Sequence, residues 1–205
     1  MNRSLSWSGI GLWAAAGVWI LALAGGFTAL LAYKSTPGVA AAAPTRWPQA
    51  SQIEPARDRA TLVMFAHPRC SCTRASIHEL GQLLARVTHP PRVIVAFTLP
   101  GGVGKDWRET DLWRSAEAIP GVRAVADRGS REANLFGSRT SGTTLLYDAA
   151  GRLEFSGGIT SLRDHEGDSL GQERLVALLT GHEADKPTSP VFGCELGDEP
   201  KEERP

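Results

Sequence analysis

The clearest pattern in the sequence is an unbroken apolar run near the amino terminus. The stretch from Ile10 to Ala32, IGLWAAAGVWILALAGGFTALLA, contains only apolar or small side chains, and no charge interrupts it. At about 1.5 Å per residue, a helix of this length crosses a bilayer core of roughly 30 Å. A signal peptide has a shorter apolar region of about 7–15 residues, although GVAAAAP would offer a cleavage site. The length therefore favours a retained transmembrane helix over residues 10–33, after a short tail of residues 1–9.

The pattern changes again on both sides of the central part of the chain. Residues 34–59 are rich in proline, alanine and polar side chains and have no sustained apolar period, which is typical of a linker. From residue 183 onward proline and charge return, so residues 183–205 are predicted to form a polar C-terminal tail. This tail still contains VFGC, in which two bulky apolar residues stand close to Cys194.

Between these flanks, residues 60–182 alternate between strand-like and helix-like patterns, which predicts an α/β domain. The predicted strands are Thr61–Ala66, Arg92–Thr98, Val122–Asp127, and a hairpin formed by TTLLYD and RLEFSG. The predicted helices are Arg74–Val87, Arg108–Ala118, Arg131–Phe136 and Ser169–Thr180. We expect a central mixed sheet flanked by helices and preceded by one transmembrane helix.

Composition narrows the range of partners. The 205 residues include 22 basic and 22 acidic side chains, so the formal net charge is zero. No basic block or aromatic-interleaved basic stripe is present, and nucleic acid is therefore not expected as a partner. A chain of this size builds a core without needing disulfides, so its three cysteines are free for chemistry.

The charges beside the apolar run bear on orientation. Arg3 and the amino terminus lie on one side, whereas Lys34 and Arg46 lie on the other, so the positive-inside count is nearly a tie. The short tail favours an amino terminus inside the cell and a translocated domain. We therefore expect a single-pass membrane protein whose soluble domain lies on the extracytoplasmic, periplasmic side.

Two cysteines stand where the first predicted strand gives way to a helix, in the stretch HPRCSCTR. Unpaired N–H groups and the dipole at a helix amino terminus stabilise a thiolate, which is the nucleophilic form of cysteine. Arg69 and Arg74 add positive charge on either side of Cys70 and Cys72. A pair of inert buried cysteines is the structural alternative, but the polar turn around this pair argues against it.

Over residues 61–180 the sequence resembles the thioredoxin superfamily. In its membrane-anchored reductases the first strand ends in an aromatic residue, and the attacking cysteine follows five positions later, as Cys70 follows Phe65 here. The family's second cysteine falls on Thr73, so Cys72 stands one residue early. The stretch SGTTLLYDAAGR is similar to the family's cis-proline strand, with Gly142 in the proline position.

The resemblance implies which residues form the site. It assigns catalytic cysteines to Cys70 and Cys72, and a site shaped by His67, Pro68, Thr73, Gly142 and Thr143. The stretches HPRCSCTRAS, TSGTTLLYD, GGIT, DHEGD and VFGC together are also similar to a little-characterised group of anchored thioredoxin-like proteins labelled RedB.

The resemblance to the thioredoxin superfamily implies a thiol–disulfide oxidoreductase that acts on protein thiols or disulfides. Cys70 would attack a substrate disulfide and Cys72 would resolve the mixed disulfide, with Cys194 as the alternative resolving cysteine if the tail folds back. A disulfide between residues one apart closes a small ring, which favours an isomerase or weak oxidase. The expected partners are the membrane and a membrane or periplasmic electron donor, and no organic cofactor is implied.

A metal-binding module is the competing hypothesis. Cys70, Cys72 and Cys194 offer soft thiolate ligands, and His67 or His165 would add an imidazole, a set that suits copper or zinc. In the thioredoxin superfamily the cis-proline helps to exclude metal, so glycine at position 142 removes one obstacle. The cysteine pattern alone leaves the redox and metal hypotheses both open.

Overall fold

The computed structural model describes residues 7–100, 107–108 and 110–197, and it divides into two units. The first unit ends at Thr36 and contains one helix, α1 (Trp7–Ser35). Its stretch Gly11–Ser35 has a mean hydropathy of 1.9 over its most apolar window, none of which is buried in protein. By length and composition this helix is a candidate membrane span, as the sequence predicts.

The second unit begins at Pro37 and contains a five-stranded sheet with helices packed against it. The strands are β1 (Thr61–Ala66), β2 (Arg92–Leu99), β3 (Val122–Arg128), β4 (Thr143–Tyr147) and β5 (Leu153–Gly157). The helices are α2 (Ser71–Ala85), α3 (Asp111–Glu117), α4 (Arg131–Leu135) and α5 (Leu170–Leu179). The expected α/β class is confirmed, and each predicted element is present with its ends shifted by at most three residues.

The sheet is mixed and runs in the order β3-β2-β1-β4-β5. Strand β1 pairs in parallel with β2 and antiparallel with β4, whereas β3 pairs in parallel with β2 and β5 antiparallel with β4. All six residues of β1 are buried because both faces of the sheet are covered. Leu62 and Met64 face the core that contains α2 and α5, whereas Val63 and Phe65 face the opposite core.

The segment predicted to be a linker lies against the domain from Gly38 onward, which differs from the tether expected. The Trp47 ring meets the rings of Phe136 and Tyr147 edge-on, with centroids 4.9 and 5.1 Å apart. The backbone of this segment is also paired, since Trp47 N–H donates to Gly151 O and Leu153 N–H donates to Thr45 O. The composition of residues 34–59 predicts a linker because one aromatic residue hardly changes the average over a segment rich in proline, alanine and polar residues.

The C-terminal tail also differs from expectation up to residue 197. Residues 187–197 contact the domain, and Val191, Phe192 and Leu196 are buried within it. Proline and charged residues dominate the composition of the tail, but its three buried apolar side chains pack into the domain. Residues 198–205 lie outside the described part of the chain, as do residues 1–6 of the predicted N-terminal tail.

We expect Trp47→Ala to destabilise the domain because its ring packs edge-on against the buried rings of Phe136 and Tyr147. Full burial of a tryptophan is worth about 3–5 kcal/mol on truncation, so a half-buried ring predicts about 2 kcal/mol. This corresponds to a fall in Tm of about 4–8 °C for a chain of this size. Thermal unfolding of the full chain in detergent, followed by circular dichroism, measures it.

Val39→Ala is the matched control, because this exposed side chain belongs to the same segment and its Tm should stay close to that of the parent. Equal Tm values for Trp47→Ala and Val39→Ala would show that the segment is a tether after all.

Candidate functional site

Cys70 lies at the amino-terminal cap of α2, directly after β1 and a short turn. Its N–H donates to His67 O in this turn, and its own carbonyl accepts from Thr73 N–H at 3.1 Å. Cys70 occupies the N-cap position, where serine, threonine, aspartate or asparagine usually supplies a capping oxygen. Its side chain makes no hydrogen bond to the helix. The helix dipole and the first-turn N–H groups therefore favour a thiolate at Cys70.

The three cysteines form one cluster. Cys70 is joined to Cys194 by a disulfide with 6.3 Å between the two Cα atoms, and Cys72 is a free thiol only 6% exposed. All three sulfur atoms lie within 4.8 Å of one another. The partner of Cys70 is thus Cys194, the alternative from the sequence, and not Cys72. The Cys70–Cys194 disulfide does not close the small ring expected for a Cys70–Cys72 pair, because 124 residues separate its cysteines.

Residues 191–196, which we call the C-terminal strap, bring Cys194 to Cys70. The strap pairs antiparallel with the chain just before β4: Ser141 N–H donates to Cys194 O at 2.8 Å, and Leu196 N–H donates to Arg139 O at 2.7 Å. The Arg163 guanidinium donates to Gly193 O at 2.5 Å from the other side. A Cβ atom at position 193 would collide with the Ser141 carbonyl, so glycine permits this close approach.

The chain that precedes the domain also holds the strap. Gly38 N–H donates to Val191 O at 2.8 Å, and the Thr140 hydroxyl donates to Val39 O at 2.8 Å. A Cβ atom on Gly38 would fall 2.5 Å from the Thr140 side chain, so this approach is close as well. The strap is therefore bound by backbone hydrogen bonds on both edges.

Gly142 takes a conformation that proline does not adopt. Its φ is +91°, and its N–H donates to Phe65 O at 2.8 Å, whereas proline has a negative φ and no N–H. A Cβ atom there would lie 2.8 Å from Ser76 Oγ of α2. No cis peptide bond occurs among the residues that the structure describes. Glycine at this position lacks the proline ring, and its N–H adds a hydrogen bond between β1 and the chain that binds the strap.

Thr73, in the position of the family's second cysteine, joins a buried hydroxyl network. Its hydroxyl donates to His67 O at 3.1 Å and lies 2.7 Å from the hydroxyl of Ser141, which itself accepts from His67 N–H at 2.9 Å. Because Thr73 donates its proton to the carbonyl, Ser141 donates to Thr73. This network fixes the turn before Cys70 against the chain that binds the strap. Sequence reasoning missed Ser141, although it stands next to Gly142.

The remaining residues predicted to shape the site lie near it in supporting roles. Pro68 is buried in the turn before Cys70, and Thr143 is buried on β4 with its hydroxyl donating to Thr140 O at 2.6 Å. His67 Nδ1 accepts from Arg69 N–H, and its ring meets the edge of Trp107. The contacts of Thr143 and His67 order the backbone around the sulfur cluster.

The charges around the cluster are partly occupied by other partners. Arg69 stacks over the Trp107 ring at 4.1 Å, and Arg74 pairs with Asp111 at 2.5 Å on the exposed surface. The hydrogen bond from Arg74 lowers the pKa of Asp111. The amino terminus of α2, which Cys70 caps, is a direct source of positive potential at Cys70.

A buried carboxylate ties the site to the loop before α5. Glu79 is 3% exposed and accepts from Gly167 N–H at 2.7 Å and from the Gln172 amide at 2.8 Å. The same loop carries Arg163, which binds the strap at Gly193. Glu79 stands seven residues after Cys72 on α2, two helical turns further on, and its position in an amphipathic helix gave no sign of this contact.

Of the predicted metal ligands, the structure brings the three cysteines together and leaves the histidines out. Within the described residues, the cluster that would hold a metal consists of Cys70, Cys72 and Cys194 alone. His165 lies in the loop that Glu79 anchors and is not a member of this cluster.

Comparisons with known proteins give structural neighbours only. No protein-family model matches the sequence, and no curated protein matches it. The chain is similar to the crystal structure of a hypothetical protein from Sinorhizobium meliloti 1021, with a TM-score of 0.51 and 19% identity over 79% of this chain and 94% of that one. It is similar to an uncharacterised conserved protein from Geobacillus kaustophilus, with a TM-score of 0.53 and 19% identity over 81% and 94% of the two chains. A thioredoxin-like superfamily protein matches 71% of this chain and 99% of its own at 19% identity, with a TM-score of 0.41.

The parallel β1-α2-β2 unit, the antiparallel β4 and β5, and the cysteine at the start of α2 decide the fold. The fold is thioredoxin-like. The resemblance seen in the sequence is thereby confirmed at the level of the fold. The narrower resemblance to the RedB-like group stays a prediction.

We expect Gly193→Ala to weaken the Cys70–Cys194 disulfide because the added methyl group forces the strap away from Ser141. Overpacking of this kind costs about 1–3 kcal/mol, which predicts a disulfide equilibrium constant about 5- to 150-fold lower. Thiol alkylation and mass spectrometry in buffers of fixed glutathione ratio measure the disulfide fraction.

Glu195→Ala is the control for this variant, since that side chain is exposed and the strap contacts it provides come from the backbone. A Gly193→Ala protein with the equilibrium constant of the parent would contradict the close packing of the strap.

Proposed function

We propose that the protein is a membrane-anchored thiol–disulfide oxidoreductase that acts on protein thiols and disulfides through Cys70. The observation that carries the proposal is the placement of Cys70 at the amino terminus of α2, in a disulfide with Cys194 of the strap. The thioredoxin-like fold supports it, because it puts this cysteine at the end of the central strand.

The reaction begins from the dithiol form. The Cys70 thiolate attacks one sulfur of a substrate disulfide, so that a mixed disulfide forms and one substrate thiolate leaves. The Cys194 thiolate then attacks the Cys70 sulfur, which closes the Cys70–Cys194 disulfide and releases the second substrate thiol. The substrate gains two electrons and the protein loses two.

The reverse sequence oxidises a substrate dithiol. A substrate thiolate attacks the Cys70 sulfur and Cys194 leaves as a thiolate, which forms the mixed disulfide. The second substrate thiolate then closes the substrate disulfide, and Cys70 leaves as the thiolate that the helix amino terminus stabilises. A dithiol protein of the membrane or periplasm is the electron donor in the first direction, and the relative potentials decide which direction operates.

Access to Cys70 depends on the strap. Cys70 is 2% exposed while the disulfide holds the strap in place. In the dithiol form only non-covalent contacts bind the strap, so it is free to move aside when a substrate arrives. Each catalytic cycle then includes the release and the return of the strap.

Membrane anchoring and an extracytoplasmic location are part of the same proposal. The apolar helix α1 supports the anchor, and the nearly balanced flanking charges agree with either orientation. The disulfide supports an oxidising compartment, where such bonds form and persist. We place the domain on the periplasmic side for this reason.

Single-cysteine variants test the assignment. In the full chain in detergent, we expect Cys70→Ser and Cys194→Ser to lose the intramolecular disulfide and Cys72→Ser to keep it. We expect reductase activity on insulin to fall to background in Cys70→Ser, because no other cysteine lies at the helix cap. Alkylation with a mass-tagged maleimide reports the disulfide, and insulin turbidity reports the activity.

The opposite pattern would contradict the proposal. If Cys194→Ser keeps the disulfide and Cys72→Ser loses it, Cys72 is the resolving cysteine. If Cys70→Ser retains full activity, Cys70 is not the attacking residue.

We expect Arg163→Ala to make the disulfide easier to reduce, because the guanidinium holds Gly193 beside Cys194 in the docked strap. Loss of a partly exposed charged hydrogen bond of this kind predicts about 1 kcal/mol, or roughly 20 mV toward a more positive potential. Titration in glutathione buffers measures the midpoint potential.

Arg139→Ala is the matched control for that charge change. Arg139 has an exposed side chain and meets the strap through its backbone carbonyl, so its replacement should leave the potential unchanged. Equal potentials for both variants would remove Arg163 from its positioning role.

A further inference from the structure

The redox reaction needs two of the three clustered cysteines, and the third is buried beside them. Cys72 is a free thiol 6% exposed, and its sulfur lies within 4.8 Å of both sulfurs of the disulfide. A free thiol this close to a disulfide can attack it in thiol–disulfide exchange. A function that uses all three sulfurs together would explain why Cys72 lies here.

The cluster has the dimensions of a three-coordinate metal site once the disulfide is reduced. Three thiolates bound in a plane at about 2.3 Å from one ion place their sulfurs about 4 Å apart. The three sulfurs already lie within 4.8 Å of one another. Reduction of the disulfide lets the Cys70 and Cys194 sulfurs separate to this spacing, while the strap's hydrogen bonds at Ser141 and Arg163 keep Cys194 close to Cys70.

The ligand set selects among metals. Soft thiolates favour Cu(I), zinc and iron–sulfur clusters, whereas a structural zinc site requires four protein ligands. Among the residues that the structure describes, the cluster contains no fourth cysteine, histidine or carboxylate. His67, the nearest imidazole along the chain, uses Nδ1 to accept a hydrogen bond from Arg69 N–H. A site with three sulfur ligands suits Cu(I), which accepts low coordination numbers.

The surroundings stabilise the negative charge of such a site. Cys70 caps the amino terminus of α2 and Cys72 lies in its first turn, so both cysteines are at the positive end of the helix dipole. Arg163 adds a positive charge at the carbonyl of Gly193, directly before Cys194. Burial of Cys70 and Cys72 also keeps water from the ion.

We propose that the reduced protein binds one Cu(I) ion through the thiolates of Cys70, Cys72 and Cys194. The metal-bound form and the disulfide form exclude each other, because the disulfide consumes two of the three ligands. When a substrate disulfide oxidises Cys70 and Cys194, it gains their two electrons and Cu(I) leaves unchanged in oxidation state. The copper site uses the same sulfurs as the proposed redox reaction but does not depend on that reaction.

The test is an anaerobic titration of the reduced full chain in detergent with Cu(I), in competition with the chromogenic chelator bicinchoninate. We expect one equivalent of Cu(I) per chain and an affinity at least 100-fold lower in Cys72→Ser and in Cys194→Ser. The disulfide form of the parent should bind no Cu(I). His165→Ala is the control and should bind as the parent does.

Two results would overturn the site. One is a Cys72→Ser protein that binds Cu(I) as tightly as the parent, since binding would then need two ligands only. The other is stoichiometric binding of Zn²⁺ to the reduced parent that Cu(I) fails to displace, because the site would then be selective for zinc over Cu(I). X-ray absorption at the copper edge gives an independent count of sulfur ligands, for which we expect three.

The outcome is separable from that of the redox experiment. Cys72→Ser removes a copper ligand but keeps the Cys70–Cys194 pair, so it should lose tight copper binding and retain insulin reduction. A failure of copper binding in the parent leaves the disulfide assay intact, and a failure of the disulfide assay leaves the copper titration intact.

Discussion

The antiparallel pairing between the strap and the chain before β4 is the contact on which the site depends. Buried backbone groups need partners, and Ser141 N–H and the carbonyl of Arg139 find theirs in the strap. Two glycines make the approach close enough: Gly142 with its positive φ and Gly193 against the Ser141 carbonyl. This pairing fixes Cys194 at the cap of α2, where it forms the disulfide with Cys70.

The site is assembled from four segments of the chain: the one from β1 to α2, the chain before β4, the loop before α5 and the strap. The turn after β1 brings His67 and Cys70, and α2 brings Cys72, Thr73 and Glu79. The loop before α5 brings Arg163, which Glu79 positions indirectly through Gly167. Each part has a polar link to the next, so the geometry at the sulfurs reflects a connected set of hydrogen bonds rather than local helix structure alone.

The sequence carried enough information to predict the domain and one half of the site. Strand β1 is a continuous apolar run, α2 has a clear apolar face, and the change from one to the other locates Cys70. These are local signals, and local signals determine individual elements well. The partner of Cys70 was a different matter, because it depends on which distant segment reaches the helix cap.

Which segment reaches the helix cap is determined by contacts that leave no pattern in the local sequence. Arg139 and Ser141 bind the strap through backbone atoms, which every residue possesses, so composition does not reveal the pairing. The stretch VFGC did indicate an ordered tail, since disorder does not require bulky apolar side chains. Similarly, Trp47 stood out in its proline-rich surroundings, yet nothing in its neighbours showed which rings it would meet.

The packing of residues 38–59 determines where the soluble part of this protein begins. A fragment that starts at Ala60 would leave Phe136 and Tyr147 without the Trp47 ring and Leu153 N–H without its acceptor. It would also lack Gly38, whose N–H binds the strap at Val191. A truncated protein cut at that point would therefore report the potential of a loosened disulfide. A boundary at Pro37, immediately after the first unit, keeps the native enclosure of the cysteines.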